Sequence, residues 1–197
     1  MNKIQIIVNN GAGTGSAVAV WKETKEYLQE NGISYNAYLT RYEKHAVKLA
    51  GQICGKIPEG PIYLLVVGGD GTINEVLNGI TDFDRVRLGV IPTGSGNDFA
   101  RNLGILRDTR EDLREITACI DQEQNGEKLQ RIDLGKVSWE GCEKPRIFGI
   151  SAGAGLDATV CKKALHSKLK KILNRFHLGK LTYLMLTVQT LFSMRTF

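Results

Sequence analysis

The chain has 197 residues, 42% of them hydrophobic, a net charge of +5 and four cysteines. Such a length suits one large domain, or one full domain and part of another, and the apolar content suffices for a buried core. Cys54, Cys119, Cys142 and Cys161 form no C-x-x-C pair, which argues against a zinc site or a disulfide framework and for reduced thiols in a cytoplasmic protein.

In chain order, Ile4 to Val8 is an apolar run that reads as a buried first strand. It is too short, and too soon broken by glycine, for a signal peptide. A glycine-rich turn follows, then a helix from about Ser16 to Asn31, with Val18, Trp21, Tyr27 and Leu28 expected on its inner face and Gly32 as its C-terminal cap. Ile33 to Leu39 reads as a second strand and Glu43 to about Cys54 as a helix. Ile62 to Val67 is continuously apolar, the pattern of a strand covered on both faces. A short helix is expected from Thr72 to Gly79, a buried strand from Leu88 to Ile91, and helices over Ser95 to Leu103 and Asp108 to Ile120. This alternation predicts an α/β fold, a mainly parallel sheet with helices on both faces. After the polar stretch Asp121 to Lys128, two sequential strands (Arg131 to Trp139 and Arg146 to Ser151) open a second, antiparallel β-rich domain, followed by a helical region from about Ala158 to Ser193. The expected domains are residues 1–125 and 126–197.

Three glycine-rich segments follow predicted strands. In Gly68-Gly69-Asp70-Gly71-Thr72-Ile73-Asn74-Glu75, glycines let the chain turn sharply and approach a ligand. Thr72 and Glu75 have the spacing of a capping box, and the helix start beyond them would offer N–H groups to a phosphate. Asp70, set among glycines, is read as free to accept a proton or to bind Mg²⁺ through water. In Pro92-Thr93-Gly94-Ser95-Gly96-Asn97-Asp98-Phe99-Ala100-Arg101, Ser95 offers a hydroxyl to a phosphate or ribose, and Asn97 and Asp98 are expected in the first helical turn. Arg101 either steadies a phosphoryl group or pairs with Asp98. Asn9-Asn10-Gly11-Ala12-Gly13-Thr14-Gly15-Ser16 lacks the Lys-Ser/Thr of a P-loop, and gains weight only because three such turns converge on one sheet edge.

These segments resemble the diacylglycerol kinase catalytic-domain family, in particular its small soluble bacterial lipid kinases, with the sphingosine and ceramide kinases as relatives. The resemblance rests on Asn9 to Gly13, on Gly68 to Glu75 with Val76-Leu77-Asn78-Gly79, and on Pro92 to Arg101. Ile132-Asp133-Leu134-Gly135 and Phe148 to Asp157 add to it. It implies a two-domain fold with ATP in the cleft between domains, and Mg²⁺-dependent transfer of the γ-phosphoryl group to a lipid hydroxyl. By motif match it implies nucleotide contacts at Asn9, Asn10, Gly11, Ala12, Gly13, Thr40, Gly68, Gly69, Asp70, Gly71, Thr72, Ile73, Asn74, Glu75, Gly94 and Ser95. It implies catalytic positions at Asp70, Arg101 and Asp133, and matches no metal ligand on this chain. Two residues depart from the pattern: Asn10 stands where proline is usual, and Thr14 where a basic residue is common. Relatives are longer, with a second domain that supplies a metal site and, in the bacterial enzymes, the general base. The expectation is therefore a truncated chain with impaired or no activity, in which Asp70 remains a candidate base. A kinase acting on NAD and a non-catalytic nucleotide-binding remnant are the alternatives. Pro92 to Arg101 argues against the first.

Every Asp and Glu lies at or before Asp157, so the last forty residues, with eight Lys or Arg, carry +8 and the rest carry 5 − 8 = −3. Basic residues from Lys162 to Lys180 precede the apolar run Leu181 to Phe192. One reading is peripheral contact with anionic lipid; the other is a solvated basic face followed by a core helix. No nucleic-acid-binding module is recognisable.

Overall fold

In the computed structural model, the described residues are 3–9, 11, 16–94, 96–105, 108–127, 129–153, 155 and 158–162. The continuously apolar segment after Pro61 forms strand β3 (Ile62–Gly68), every residue of which is buried. Around it lie β1 (Ile4–Val8), α1 (Ser16–Glu30), β2 (Tyr35–Leu39), α2 (His45–Lys56), α3 (Asp70–Leu77), β4 (Val86–Pro92), α4 (Asp98–Asn102) and α5 (Thr109–Gln124). β5 (Gly135–Val137) and β6 (Arg146–Phe148) follow.

The four long strands form one parallel sheet in the order β2-β1-β3-β4, while β5 and β6 pair antiparallel. Because side chains alternate along a strand, β3 feeds two cores. Ile62, Leu64 and Val66 pack with Ala46, Ile53, Ile73, Val76 and Phe99 on the face covered by α2, α3 and α4. Tyr63, Leu65 and Val67 pack with Trp21, Leu28, Leu113 and Ile120 on the face covered by α1 and α5. The predicted fold class, a mainly parallel sheet covered on both faces and followed by antiparallel strands, is thus present.

Differences from expectation have local causes. The buried stripe of α1 is Ala17, Trp21, Thr24 and Leu28, and Val18 is 55% exposed. Positions 17, 21, 24 and 28 keep the helical repeat, from which Val18 is rotated by a full residue step. Gly32 does cap α1: at φ +64° its N–H donates to the Gln29 carbonyl (3.2 Å), and the Ile33 N–H donates to that of Leu28 (2.9 Å). That cap uses Ile33, so β2 starts only at Tyr35. Lys44 adopts the left-handed conformation (φ 65°), which delays α2 to His45.

Two glycines set close packing. A Cβ at Gly79 would lie 2.2 Å from the Val47 carbonyl oxygen, so glycine there lets the chain after α3 lie against α2. A Cβ at Gly135 would lie 2.2 Å from the Phe148 ring, which covers β5. All four cysteines are free thiols, and burial pushes the Cys119 thiol above its usual pKa.

The chain divides into two compact units, residues 1–150 and 151–197. The sheet and all its helices belong to the first. In the second, residues 158–162 are helical and the Thr159 N–H donates to the Gly155 carbonyl at 3.1 Å. The rest of the helical region expected to Ser193, with the basic and apolar tail, lies outside the described residues. Among the described residues no helix is long and apolar enough to cross a membrane.

Candidate functional site

The order β2-β1-β3-β4 sends the chain from β1 to one side and then back to the other. The carboxyl ends of β1 and β3 therefore flank the crevice where open α/β sheets bind ligands. Asn9 leaves β1 directly into this crevice. Its Nδ2 donates to Thr72 Oγ1 at 2.8 Å, and its Oδ1 accepts the Gly11 N–H at 3.1 Å. One asparagine thereby joins the first glycine turn to the second. Thr40, at the end of β2, reaches the same edge, its N–H donating to the Val8 carbonyl at 2.9 Å.

The second and third glycine turns meet backbone to backbone. A Cβ on Gly69 would lie 3.1 Å from Gly94 Cα, and one on Gly94 would lie 3.0 Å from Gly69 Cα. A Cβ on Gly68 would lie 2.7 Å from Thr72 Cβ. The Thr93 N–H donates to the Gly68 carbonyl at 3.1 Å, extending the sheet ladder past Pro92.

The expected capping box does not form. Gly69 is the N-cap of α3, and its carbonyl accepts from Thr72 (2.9 Å) and Ile73 (3.1 Å), so the helix begins at Asp70. Thr72 spends its hydroxyl on Asn9. Glu75 turns to another helix: Oε1 accepts the Lys44 N–H at 3.0 Å and Oε2 accepts the Ala46 N–H at 3.2 Å, capping α2. A carboxylate suits that position because a helix start is electropositive. Among the described residues nothing accepts from the N–H groups of Asp70 and Gly71. A helix start with open N–H groups and no side-chain cap is suited to an anion.

Asp70 is not free either. Its two oxygens accept the Asp98 and Phe99 N–H groups, each at 3.1 Å, so it caps α4. The turn that allows this is set by Asn97, which lies outside α4 in the left-handed conformation (φ 53°). Asn97 Oδ1 accepts the Gly94 N–H and its Nδ2 donates to the Gly94 carbonyl, both at 2.8 Å. Asparagine is one of the few residues at ease in that conformation, a signal the sequence carried but the helical reading of Ser95 to Leu103 passed over. Arg101 donates from Nη1 to Asp98 Oδ1 at 2.7 Å and from Nη2 to the Gly96 carbonyl at 2.8 Å. Of its two readings, the pair with Asp98 is present.

Asn9, Gly11, Thr40, Gly68, Gly69, Asp70, Gly71, Thr72, Gly94 and Arg101 are thus brought to one edge by direct contacts or by their place in the turns. Ile73 is buried in the core, leaving only its backbone near the edge. Asn74 faces β6, its Nδ2 3.4 Å from the Ile147 carbonyl. Asp133 is exposed in the segment before β5 and has no hydrogen bond or ion pair among the described residues. Asn10, Ala12, Gly13 and Ser95 lie outside the described residues. Asn78, part of the family motif but given no role by the sequence, donates from Nδ2 to the Ile147 carbonyl at 2.8 Å and accepts the Ile147 N–H at 3.0 Å. Its side-chain amide pairs with β6 as a strand backbone would.

Among the described residues no group of three or more His, Cys, Asp or Glu is placed to hold a metal ion. Mg²⁺ commonly needs only one or two carboxylates when phosphates supply the rest. Asp70 and Asp98 both flank Gly96, where a Cβ would lie 3.2 Å from Asp70 Oδ2 and 3.6 Å from Asp98 Oδ2. That donor set fits an ion that arrives with a phosphate chain, not one held by protein alone.

Comparison with known proteins gives one consistent answer. The model of the diacylglycerol kinase catalytic domain matches residues 3–137. "Putative lipid kinase YtlR" of Bacillus subtilis (strain 168) is 31% identical over 180 residues, covering 90% of this chain and 55% of that protein. "Diacylglycerol kinase" of the same organism is 35% identical over 156 residues, covering 77% of this chain and 45% of that one. The chain therefore spans about half the length of these curated relatives. Among solved structures, "A putative diacylglycerol kinase from Bacillus anthracis str. Sterne" superposes with a TM-score of 0.51 at 29% identity, covering 59% of this chain and 39% of that one.

Proposed function

The chain belongs to the diacylglycerol kinase catalytic-domain family, and on that premise we propose that it carries the nucleotide-binding half of an ATP-dependent lipid kinase. ATP lies along the crevice between β1 and β3, its phosphates over the start of α3. The observation that carries this reading is the bracing of two glycine turns against each other, Gly69 on Gly94, beside the open N–H groups of Asp70 and Gly71. Asn9, Gly11, Thr40, Gly68 to Thr72 and Gly94 form the walls of the site. Asn10, Ala12, Gly13 and Ser95 contribute through their family positions, and the backbone of Ile73 to Glu75 continues the wall.

The reaction is transfer of the γ-phosphoryl group to a lipid hydroxyl. Asp70 holds α4 with two of its lone pairs and keeps others for a nucleotide-bound Mg²⁺ or for the proton of the acceptor. Arg101, held beside Gly96, places a fixed positive charge next to the third glycine turn, and Asp133 serves the phosphate side. Residues from 126 onward open the lipid-binding domain, and the protein works in the cytoplasm, meeting the membrane peripherally through the basic tail.

The test has two arms. Titration of the chain with ATP and Mg²⁺ by calorimetry should give saturable binding. Labelled ATP should then phosphorylate diacylglycerol or sphingosine in vesicles when the chain is extended to the length of its relatives, and should leave NAD unmodified. Transfer to NAD, or no transfer to any lipid by the extended chain, would refute the lipid-kinase reading. Binding of ATP without turnover by both lengths would establish a non-catalytic nucleotide-binding protein instead.

A further inference from the structure

The parallel sheet has a second edge, opposite the glycine turns, and a cavity of about 220 Å³ opens there between α1 and α5. Its apolar part comes from Ile4, the first residue of β1, from Ile120 of α5, and from Ile33 before β2. Ile4 and Ile120 are buried, and the Ile4 N–H donates to the Ser34 carbonyl at 3.0 Å. The five residues of β1, about 16 Å of strand, separate this cavity from the crevice that Asn9 enters. The polar side chains around it have spent donors. The Thr117 hydroxyl donates to the Arg114 carbonyl at 3.0 Å, so the Tyr27 phenol, 3.3 Å from Thr117 Oγ1, is the donor of that pair. Asn31 Nδ2 donates to the Tyr27 carbonyl at 2.8 Å. What Tyr27 and Asn31 have left to offer is oxygen lone pairs.

The charge at this edge points the same way. The carboxyl end of a helix is electronegative and is usually answered by Lys or Arg in the last turn. Neither α1 nor α5 has a basic residue there. Glu30 and Glu123, acids at these two ends, are answered from elsewhere, Glu30 by Arg110 at 2.8 Å and Glu123 by Arg87. Asp121, which lines the cavity from the last turn of α5, has no such partner among the described residues, and no Lys or Arg among them lines the cavity. A cavity of about 150 Å³ takes a benzene ring, so this one has room for a ring and a short polar arm. From the isoleucine surface, the spent donors and the unanswered carboxylate, we infer that the cavity is a binding site for a small organic amine. Its apolar body lies on Ile4, Ile33 and Ile120, and its ammonium group donates to the Asp121 carboxylate and to Asn31 Oδ1. A charge-assisted hydrogen bond of this kind is about twice as strong as a neutral one. The site is independent of the nucleotide-binding reading.

Two probes of one shape separate charge from burial: benzylamine, protonated at neutral pH, and benzyl alcohol, its neutral counterpart. Each is titrated into the full chain and followed by the backbone amide signals in nuclear magnetic resonance. Benzylamine should saturate at a roughly millimolar concentration. It should move the amides of Ser34, Thr117 and Asp121 and leave those of Gly69 and Gly94 in place. Benzyl alcohol should bind at the same amides roughly tenfold more weakly. Asp121→Asn, a change at an exposed position, should remove the preference for the amine and keep the affinity for the alcohol. No saturable shift at the cavity, or shifts spread over other acidic surfaces, would overturn the site. Equal affinity for the two probes in the wild type, or an amine preference that survives in Asp121→Asn, would overturn its selection of a cation.

Discussion

At the scale of single residues, polar side chains in this crevice serve as fasteners between turns before they serve any ligand. Asp70 is the clearest instance, since both its oxygens are given to backbone N–H groups of α4. Asp70→Asn keeps the size but turns one acceptor into a donor facing an N–H. The expected cost is about 1 kcal/mol, the usual value of a helix cap, measured as a lowered denaturation midpoint. Gly79 makes the opposite point, because there any side chain at all is excessive. With the Val47 carbonyl oxygen 2.2 Å from the position of a Cβ, Gly79→Ala must push α2 away. About 1–3 kcal/mol of destabilisation is expected, the range for overpacked sites, read from urea unfolding.

At the scale of elements, α3 links the glycine turns to β6 through Asn78. The amide of Asn78 both donates to and accepts from Ile147, so Asn78→Asp keeps the acceptor and loses the donor. The Ile147 carbonyl then faces a carboxylate, and exchange of the Ile147 amide hydrogen should accelerate, measured by hydrogen exchange. Legibility in the sequence followed the range of the interaction that decides each element. β3 was readable because six consecutive apolar residues leave a strand buried on both faces as the natural outcome. Gly32 was readable because a helix cap is decided within a few residues. The capping roles of Glu75 and Asp70 were not, because each bonds the backbone of a helix some 30 residues away in sequence: the pairs are Glu75 with Lys44 and Ala46, and Asp70 with Asp98 and Phe99. A Thr-x-x-Glu spacing looks the same whether the glutamate folds back or reaches across. The short strands β5 and β6 were overextended for a related reason, since alternation continues past the point where pairing stops.

At the scale of the whole molecule, the central strand carries an ionisable side chain into the core. Tyr63 on β3 is 3% exposed, and burial, reinforced by the Glu123 carboxylate beside it, pushes its phenol above the usual range. A raised pKa in the folded state means the folded chain holds its proton longer than the unfolded one. The stabilisation is therefore complete below the ordinary tyrosine pKa of about 10 and is lost as pH climbs through the folded value. Tyr63→Phe should flatten that part of the alkaline stability curve relative to wild type, measured by denaturant titration between about pH 9 and 11. The crevice itself has a mechanical counterpart in α3, whose eight residues run for about 12 Å. Its first turn faces the crevice and the residue just past its last turn grips β6. Adding or removing one residue would rotate the far end by about 100° and carry Asn78 out of phase with Ile147. The helix is thus a spacer of fixed phase, whose two ends stay in register only at its present length.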